Sequence, residues 1–162
     1  MSTQLRPPRH QVSRRAVTYW AVRAAAGWLI VVLVEVVALI LATGYPPALV
    51  VTICVTVAVG ALHVTVMPRW RYRVHRWEVT DEAVYTQAGW FNIERRIAPV
   101  RRIQTVDSER GPLEQLFGLT KVTITTASAA GPLKIHGLDA QTAAQLADQL
   151  TSETQAAAED GT

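Results

Sequence analysis

The sequence predicts a membrane-anchored all-β domain with a closing helix: a two-span α-helical hairpin, then a small antiparallel barrel or bent sandwich, then a C-terminal α-helix. Three observations carry this prediction. Two strongly apolar stretches, 24–43 and 48–67, are separated only by Gly44-Tyr45-Pro46-Pro47 and contain one acidic residue, Glu35, and no Lys or Arg. After Met67-Pro68 the pattern changes to period-two alternation broken by turn signals. From Asp139 an apolar stripe at helical spacing closes the chain.

Each apolar stretch is about 20 residues, or roughly 30 Å as a helix, which matches the hydrocarbon core of a bilayer. The stretch is too long for the apolar part of a signal peptide, and a second span follows at once, so it reads as a retained anchor. Pro46-Pro47 ends the first helix and suits the first turn of the second. Four units follow: a basic arm (1–22), the hairpin (23–67), a domain (68–152) and a disordered tail (153–162).

Arg14, Arg15 and Arg23 precede the hairpin, Arg69, Arg71, Arg73 and Arg76 follow it, and its connecting loop is uncharged. The positive-inside rule then places both termini in the cytoplasm, in a multi-pass protein of the inner (plasma) membrane. Tyr19, Trp20, Trp28 and Trp70 fit an aromatic belt on that side, and Tyr45 fits one on the other.

Glu35 lies mid-span, where an ionisable group is costly. Small residues share its face at helical spacing (Ala24, Gly27, Val31, Ala38, Ala42), and the second helix has a matching stripe of Thr52, Thr56, Gly60 and His63. Depth counted from the loop pairs Glu35 with Thr56 and not with His63, roughly 10 Å deeper. The stripe therefore reads as a surface for packing within the hairpin or assembly with a second membrane subunit. A proton-transfer role, as in an accessory subunit of a transport or envelope-stress system, is the weaker alternative, because two spans cannot enclose a pore.

In the domain, Trp70–Val74 alternates with arginine and reads as a strand with Arg69, Arg71 and Arg73 on one face. Further strands are predicted over 77–80, 83–88, 91–98, 102–109, 121–126 and 132–136. Turns are expected at Asp81-Glu82, Gly89-Trp90, Pro99-Val100 and Ala129-Ala130-Gly131. A short helix runs from Pro112 to Gly118. Asp139 caps the last helix, whose stripe is Ala143, Leu146, Ala147 and Leu150.

Ile97-Ala-Pro99-Val-Arg-Arg102-Ile103-Gln104-Thr-Val106, then Gly111-Pro112-Leu113 with Phe117-Gly118-Leu119, then Val122-Thr-Ile-Thr-Thr126, resemble the YdbS-like family of bacterial pleckstrin-homology (PH) membrane proteins. The resemblance spans roughly residues 15–152 and omits the arm from Ser2 to Arg15. It implies a seven-stranded pleckstrin-like barrel with a C-terminal helix, no attached chemistry, and a partner that itself carries tandem domains of this kind.

Composition excludes several function classes. The chain carries +4 over residues 1–67 and −1 over 68–162, so the high pI belongs to the arm and no nucleic-acid face is expected. One cysteine, Cys54, rules out disulfide frameworks and thiolate clusters. His10, His63, His75 and His136 are scattered, and no phosphate loop, nucleophile elbow or metalloprotease motif occurs. No enzyme, metal or cofactor is expected.

Two non-catalytic readings follow. The domain serves protein interaction and assembly, with another PH-domain membrane protein or a second copy. Alternatively Arg69, Arg71, Arg73, Arg76, Arg95, Arg96, Arg101 and Arg102 contact anionic membrane lipids. Trp77, Trp90 and Phe91 read as core packing, the alternative being a Gly89-Trp90-Phe91 turn that dips into the membrane interface.

Overall fold

The computed structural model describes residues 6–42, 44, 46–128 and 131–159, with the backbone alone for 156–159. Strand β1 (His10–Gln11) precedes the long helices α1 (Arg15–Leu41) and α2 (Pro47–Val74). The remaining strands are β2 (Arg76–Val79), β3 (Ala83–Gly89), β4 (Ile93–Pro99), β5 (Ile103–Glu109), β6 (Leu119–Thr126) and β7 (Leu133–Asp139). A 3-10 turn (Val100–Arg102) precedes β5, α3 (Pro112–Phe117) precedes β6, and α4 (Ala140–Glu159) ends the described chain. The expected positions of Tyr45, Ala129, Ala130 and residues 160–162 lie outside the described residues.

Seven antiparallel strands form two sheets, ordered β1-β2-β3-β4 and β5-β6-β7. Side chains alternate along each strand, so one face of each sheet turns inward. Val84 and Ala98 from the first sheet meet Val122, Ile124, Leu133 and Ile135 from the second. Ala143, Leu146 and Leu150 of α4 complete this core, with Ala147 at its margin. Asp139 caps α4 as its sequence position predicts, accepting the Thr142 N–H at 2.9 Å and the Thr142 hydroxyl at 2.7 Å. Glu114 reaches back to the Gly111 N–H at 2.8 Å and starts α3.

Four sequence expectations are corrected. The segment Trp70–Val74 is helical, because α2 runs through Pro68 and on to Val74. Five alternating residues are a weak β signal, and here the segment continues α2, whose Pro68 and Val74 are both buried. Arg69, Arg71 and Arg73 therefore do not share a face: Arg69 and Arg73 are exposed, one turn apart, while Arg71 turns inward.

The arm belongs to the domain. Its β1 pairs with β2, placing His10 opposite Trp77, and supplies the seventh strand. Arg6 and Arg9 hold the buried Glu78 carboxylate, Arg6 at 2.5 Å and Arg9 at 3.4 Å. The helices overrun the predicted hairpin, with α1 starting at Arg15 and α2 ending at Val74, an excess of roughly two turns at each base. Finally, α4 continues to Glu159, so residues 153–159 of the predicted tail are helical.

The overrun turns clamp the domain to the hairpin. Val12, Ala16, Trp20 and Leu119 form a second buried cluster, joined by Tyr19, Tyr72, Trp77 and Phe117. Gly137 makes this approach possible: at φ +78° its backbone lies so close to α1 that a Cβ would sit 2.8 Å from the Ala16 Cβ.

Candidate membrane-facing site

Both long helices have windows apolar enough to cross a bilayer, and those windows are almost entirely exposed, unlike the core helix of a soluble fold. Their mutual contact is polar at two levels. Mid-span, the Thr56 hydroxyl donates to Glu35 Oε1 at 2.8 Å, the pairing that depth predicts, while Glu35 Oε2 is buried and unpartnered. Nearer the domain, Trp28 Nε1 donates to His63 Nδ1 at 2.8 Å. Gly60 gives the Trp28 ring its room, since a Cβ there would lie 3.0 Å from the indole. His63 therefore bonds Trp28, not Glu35.

The rest of the predicted stripe is only partly kept. Gly27, Val31 and Ala38 are exposed, whereas Ala24 and Ala42 stay half-buried, as do Trp28, Val32 and Leu39 of the same helix. Thr52 is exposed and bonds back to Ala48 O at 2.9 Å, away from Glu35. Trp28 replaces the small residues because one indole over one glycine fills the interhelical gap.

The tip between β3 and β4 rests against the hairpin. Trp90 stacks near His63 with ring centres 5.6 Å apart, and Trp70 Nε1 donates to Trp90 O at 3.0 Å. Trp90 is 48% exposed and Phe91 93%, so these two are not core residues. Trp77 alone matches that expectation, packing against both core clusters.

At the junction of hairpin and domain, the Arg71 guanidinium lies over the Trp20 ring, 4.6 Å from its centroid. His75, buried one turn on, donates Nδ1–H to Arg71 O at 2.8 Å, leaving Nε2 as the acceptor that faces Arg71 Nε at 3.5 Å. That arrangement needs a neutral imidazole. Burial, reinforced by the Arg71 charge, accordingly pushes the His75 pKa down to about 4. His136 is lowered for the same two reasons in the same order.

Arg71 and His136 line two clefts. The larger, about 800 Å³, lies between the α2 base, the β3–β4 tip and β7, and includes Arg96 and Lys134. The other, about 490 Å³, lies between the α1 base and α3, and includes Arg23 and Lys121.

The eight sequence-nominated arginines are not one surface. Arg71 and Arg96 share the larger cleft. Arg95, Arg96 and Arg102 line a separate hollow of about 290 Å³. Arg95 donates to Gln87 Oε1 at 3.0 Å, and Arg96 donates to the Pro132 and Gly131 carbonyls, each at 2.7 Å, and lies 3.7 Å from Glu94. Arg76 enters β2, and Arg101 is exposed on the 3-10 turn. Sequence reasoning missed the importance of Trp20, His75, Glu78 and Gly137. Only Glu78, an acid alternating with Trp77 and Val79, had a local signal.

The Bacterial PH domain family model matches residues 24–154. Over 88 residues the chain is 34% identical to the UPF0699 transmembrane protein YdbS of Bacillus subtilis (strain 168), covering 54% of each chain. The chain thus spans about half the length of the curated relative it matches. No solved structure matches it. With the family match covering most of the length, and a two-sheet strand array closed by a C-terminal helix behind two apolar spans, the chain belongs to the bacterial PH domain family.

Proposed function

We propose that this membrane protein is a non-catalytic assembly module, whose PH domain joins another membrane protein through the free edge of β4. The carrying observation is the outer face of that strand. Among the described residues β4 ends its sheet, and Ile93 and Ile97 stand 52% and 44% exposed on either side of Arg95. An open edge with outward isoleucines is one that proteins ordinarily cover or charge, and strand addition by a partner covers it. The resemblance to YdbS-like proteins favours a partner with tandem PH domains, and a second copy is the other candidate. The arginine flanks of the hairpin favour a cytoplasmic location for the domain and both termini.

The test is co-purification of tagged full-length protein in mild detergent, with a photo-crosslinker at Ile97. A crosslinked membrane protein, lost in Ile97→Arg while the melting temperature holds, supports the reading. A monomer without crosslinks sinks it.

A second reading, contact with anionic lipid, is favoured by the β3–β4 tip. His63 lies about 6 Å inside the predicted domain-side end of its span at Met67. Trp90 beside it, and the exposed Phe91, are then at interfacial depth, with the exposed Arg69 and Arg73 positioned to meet headgroups. A brominated-lipid quenching experiment in nanodiscs checks this, read as the additional quenching that Phe91→Trp shows over the native tryptophans. Absence of that additional quenching by shallow bromines removes the tip contact.

A further inference from the structure

Arg71 is a half-buried cation without an acidic partner. Among the described residues no carboxylate lies within 4.0 Å of it, whereas Arg6, Arg9, Arg96 and Lys121 each have one. Its polar neighbour is the acceptor nitrogen of His75, and its other face is covered by the Trp20 ring. A guanidinium taken from water normally gains a carboxylate or phosphate in exchange, because its planar fork of donors suits both. Here the surroundings add positive charge. Arg23 lines one of the two clefts that Arg71 joins, and Lys134 lines the other. Each cleft contains one carboxylate, and both are otherwise engaged: Glu94 with Arg96, and Glu114 with the Gly111 N–H.

From this geometry we infer that the Arg71 junction is an anion-binding site for a phosphate group, held by Arg71 with Arg23 on one side and Lys134 on the other. The site lies at the base of both apolar helices, where a membrane phospholipid or a soluble phosphorylated molecule can present the same chemistry. On its Lys134 side it borders Ile93, Glu94 and Arg96 of β4, but it does not include Ile97, so the crosslinking test of the assembly edge and the anion test read different residues. It also differs from headgroup contact by exposed arginines, since the exposed Arg69 and Arg73 take no part in it.

Full-length protein in mild detergent is offered phosphatidylglycerol or, separately, inorganic phosphate. Retained lipid is counted by native mass spectrometry, and stabilisation is read as a shift in melting temperature. The expected result is retention of phosphatidylglycerol over phosphatidylcholine by at least tenfold, or a melting shift with millimolar phosphate. That response is lost in Arg71→Gln, reduced several-fold in Lys134→Gln, and reduced less than in Lys134→Gln in the Arg69→Gln/Arg73→Gln pair. Response to lipid alone identifies a headgroup site, and response to both identifies a site open to soluble phosphates. Equal response in the wild type and Arg71→Gln overturns the inference. If Arg71→Gln does not fold, Lys134→Gln decides, and an undiminished response there overturns it. Loss in the Arg69→Gln/Arg73→Gln pair with retention in Lys134→Gln also overturns it, in favour of surface contact.

Discussion

Thr56 and Glu35 close the hairpin at mid-span with a 2.8 Å hydrogen bond that leaves the second carboxyl oxygen buried and unpartnered. The two ends of this bond are not equivalent. Without Glu35, the Thr56 hydroxyl can turn to a carbonyl of its own helix, as Thr52 and Thr65 already do. Without Thr56, neither oxygen of Glu35 has a partner in an apolar setting. Thr56→Val should therefore cost about 2 kcal/mol, Glu35→Val less than about 1 kcal/mol, and Glu35→Gln should be tolerated. Steric-trap unfolding in bicelles measures all three. A larger loss in Glu35→Val would point to a further partner for Glu35, such as a second subunit.

Gly60 makes a second asymmetric contact. A methyl group there would sit 3.0 to 3.3 Å from three atoms of the Trp28 indole, so the ring must move and its bond to His63 with it. Overpacking of this kind costs about 1–3 kcal/mol. Gly60→Ala should lower the melting temperature of the full chain, and pairing it with Trp28→Phe should recover part of the loss. Equal stability of Gly60→Ala and wild type would contradict the close approach.

Glu78 tests whether the arm is structural. Its side chain is 8% exposed, while those of Arg6 and Arg9 are 60% and 67% exposed. The arginines are screened by water, so the cost of removing them falls mainly on the carboxylate left behind. Arg6→Gln/Arg9→Gln should destabilise the domain by about 2 kcal/mol, and Glu78→Gln in that background should restore most of it. Thermal melts of the four proteins form the cycle.

His75 imposes a pH dependence. Its folded pKa, about 4, lies below the ordinary 6.5, so between those values the unfolded chain binds more protons. Its contribution is complete above about pH 6.5 and is lost as the pH falls toward 4, on the order of 3 kcal/mol over that span. His136 shifts the same way and adds to the slope. The cap residue Asp139 starts at 3.8 and is lowered, so it titrates outside a comparison of pH 7.5 with 4.5. Melting temperatures over that range should fall steadily, and His75→Gln should flatten the curve.

Much of the β domain was legible because each strand announces itself locally. Ala83–Gly89, Ile93–Pro99 and Ile103–Glu109 lie within a few residues of their predicted bounds, and Pro112, Gly118 and Asp139 mark helix ends through their own backbone chemistry. The Glu35–Thr56 pair followed from counting depth along two antiparallel helices. The candidate site was less legible because its parts come from three places in the chain: Trp20 from α1, Arg71 from α2, Lys134 and His136 from β7. Arginine density alone pointed to eight positions, although charge along a chain says nothing about which guanidinium faces inward.

The sequence by itself determined that two apolar helices anchor a β domain, because hydropathy, period and turn chemistry are local properties. The tertiary structure decided where the hairpin ends and what it holds. A five-residue alternation after Met67 suits strand or helix alike, and the Trp20–Arg71 contact together with buried Pro68 and Val74 selects the helix. The arm becomes a strand only because β2 offers it an edge and Glu78 a buried charge. Both choices depend on residues more than 45 positions apart, and no periodicity within either segment encodes them.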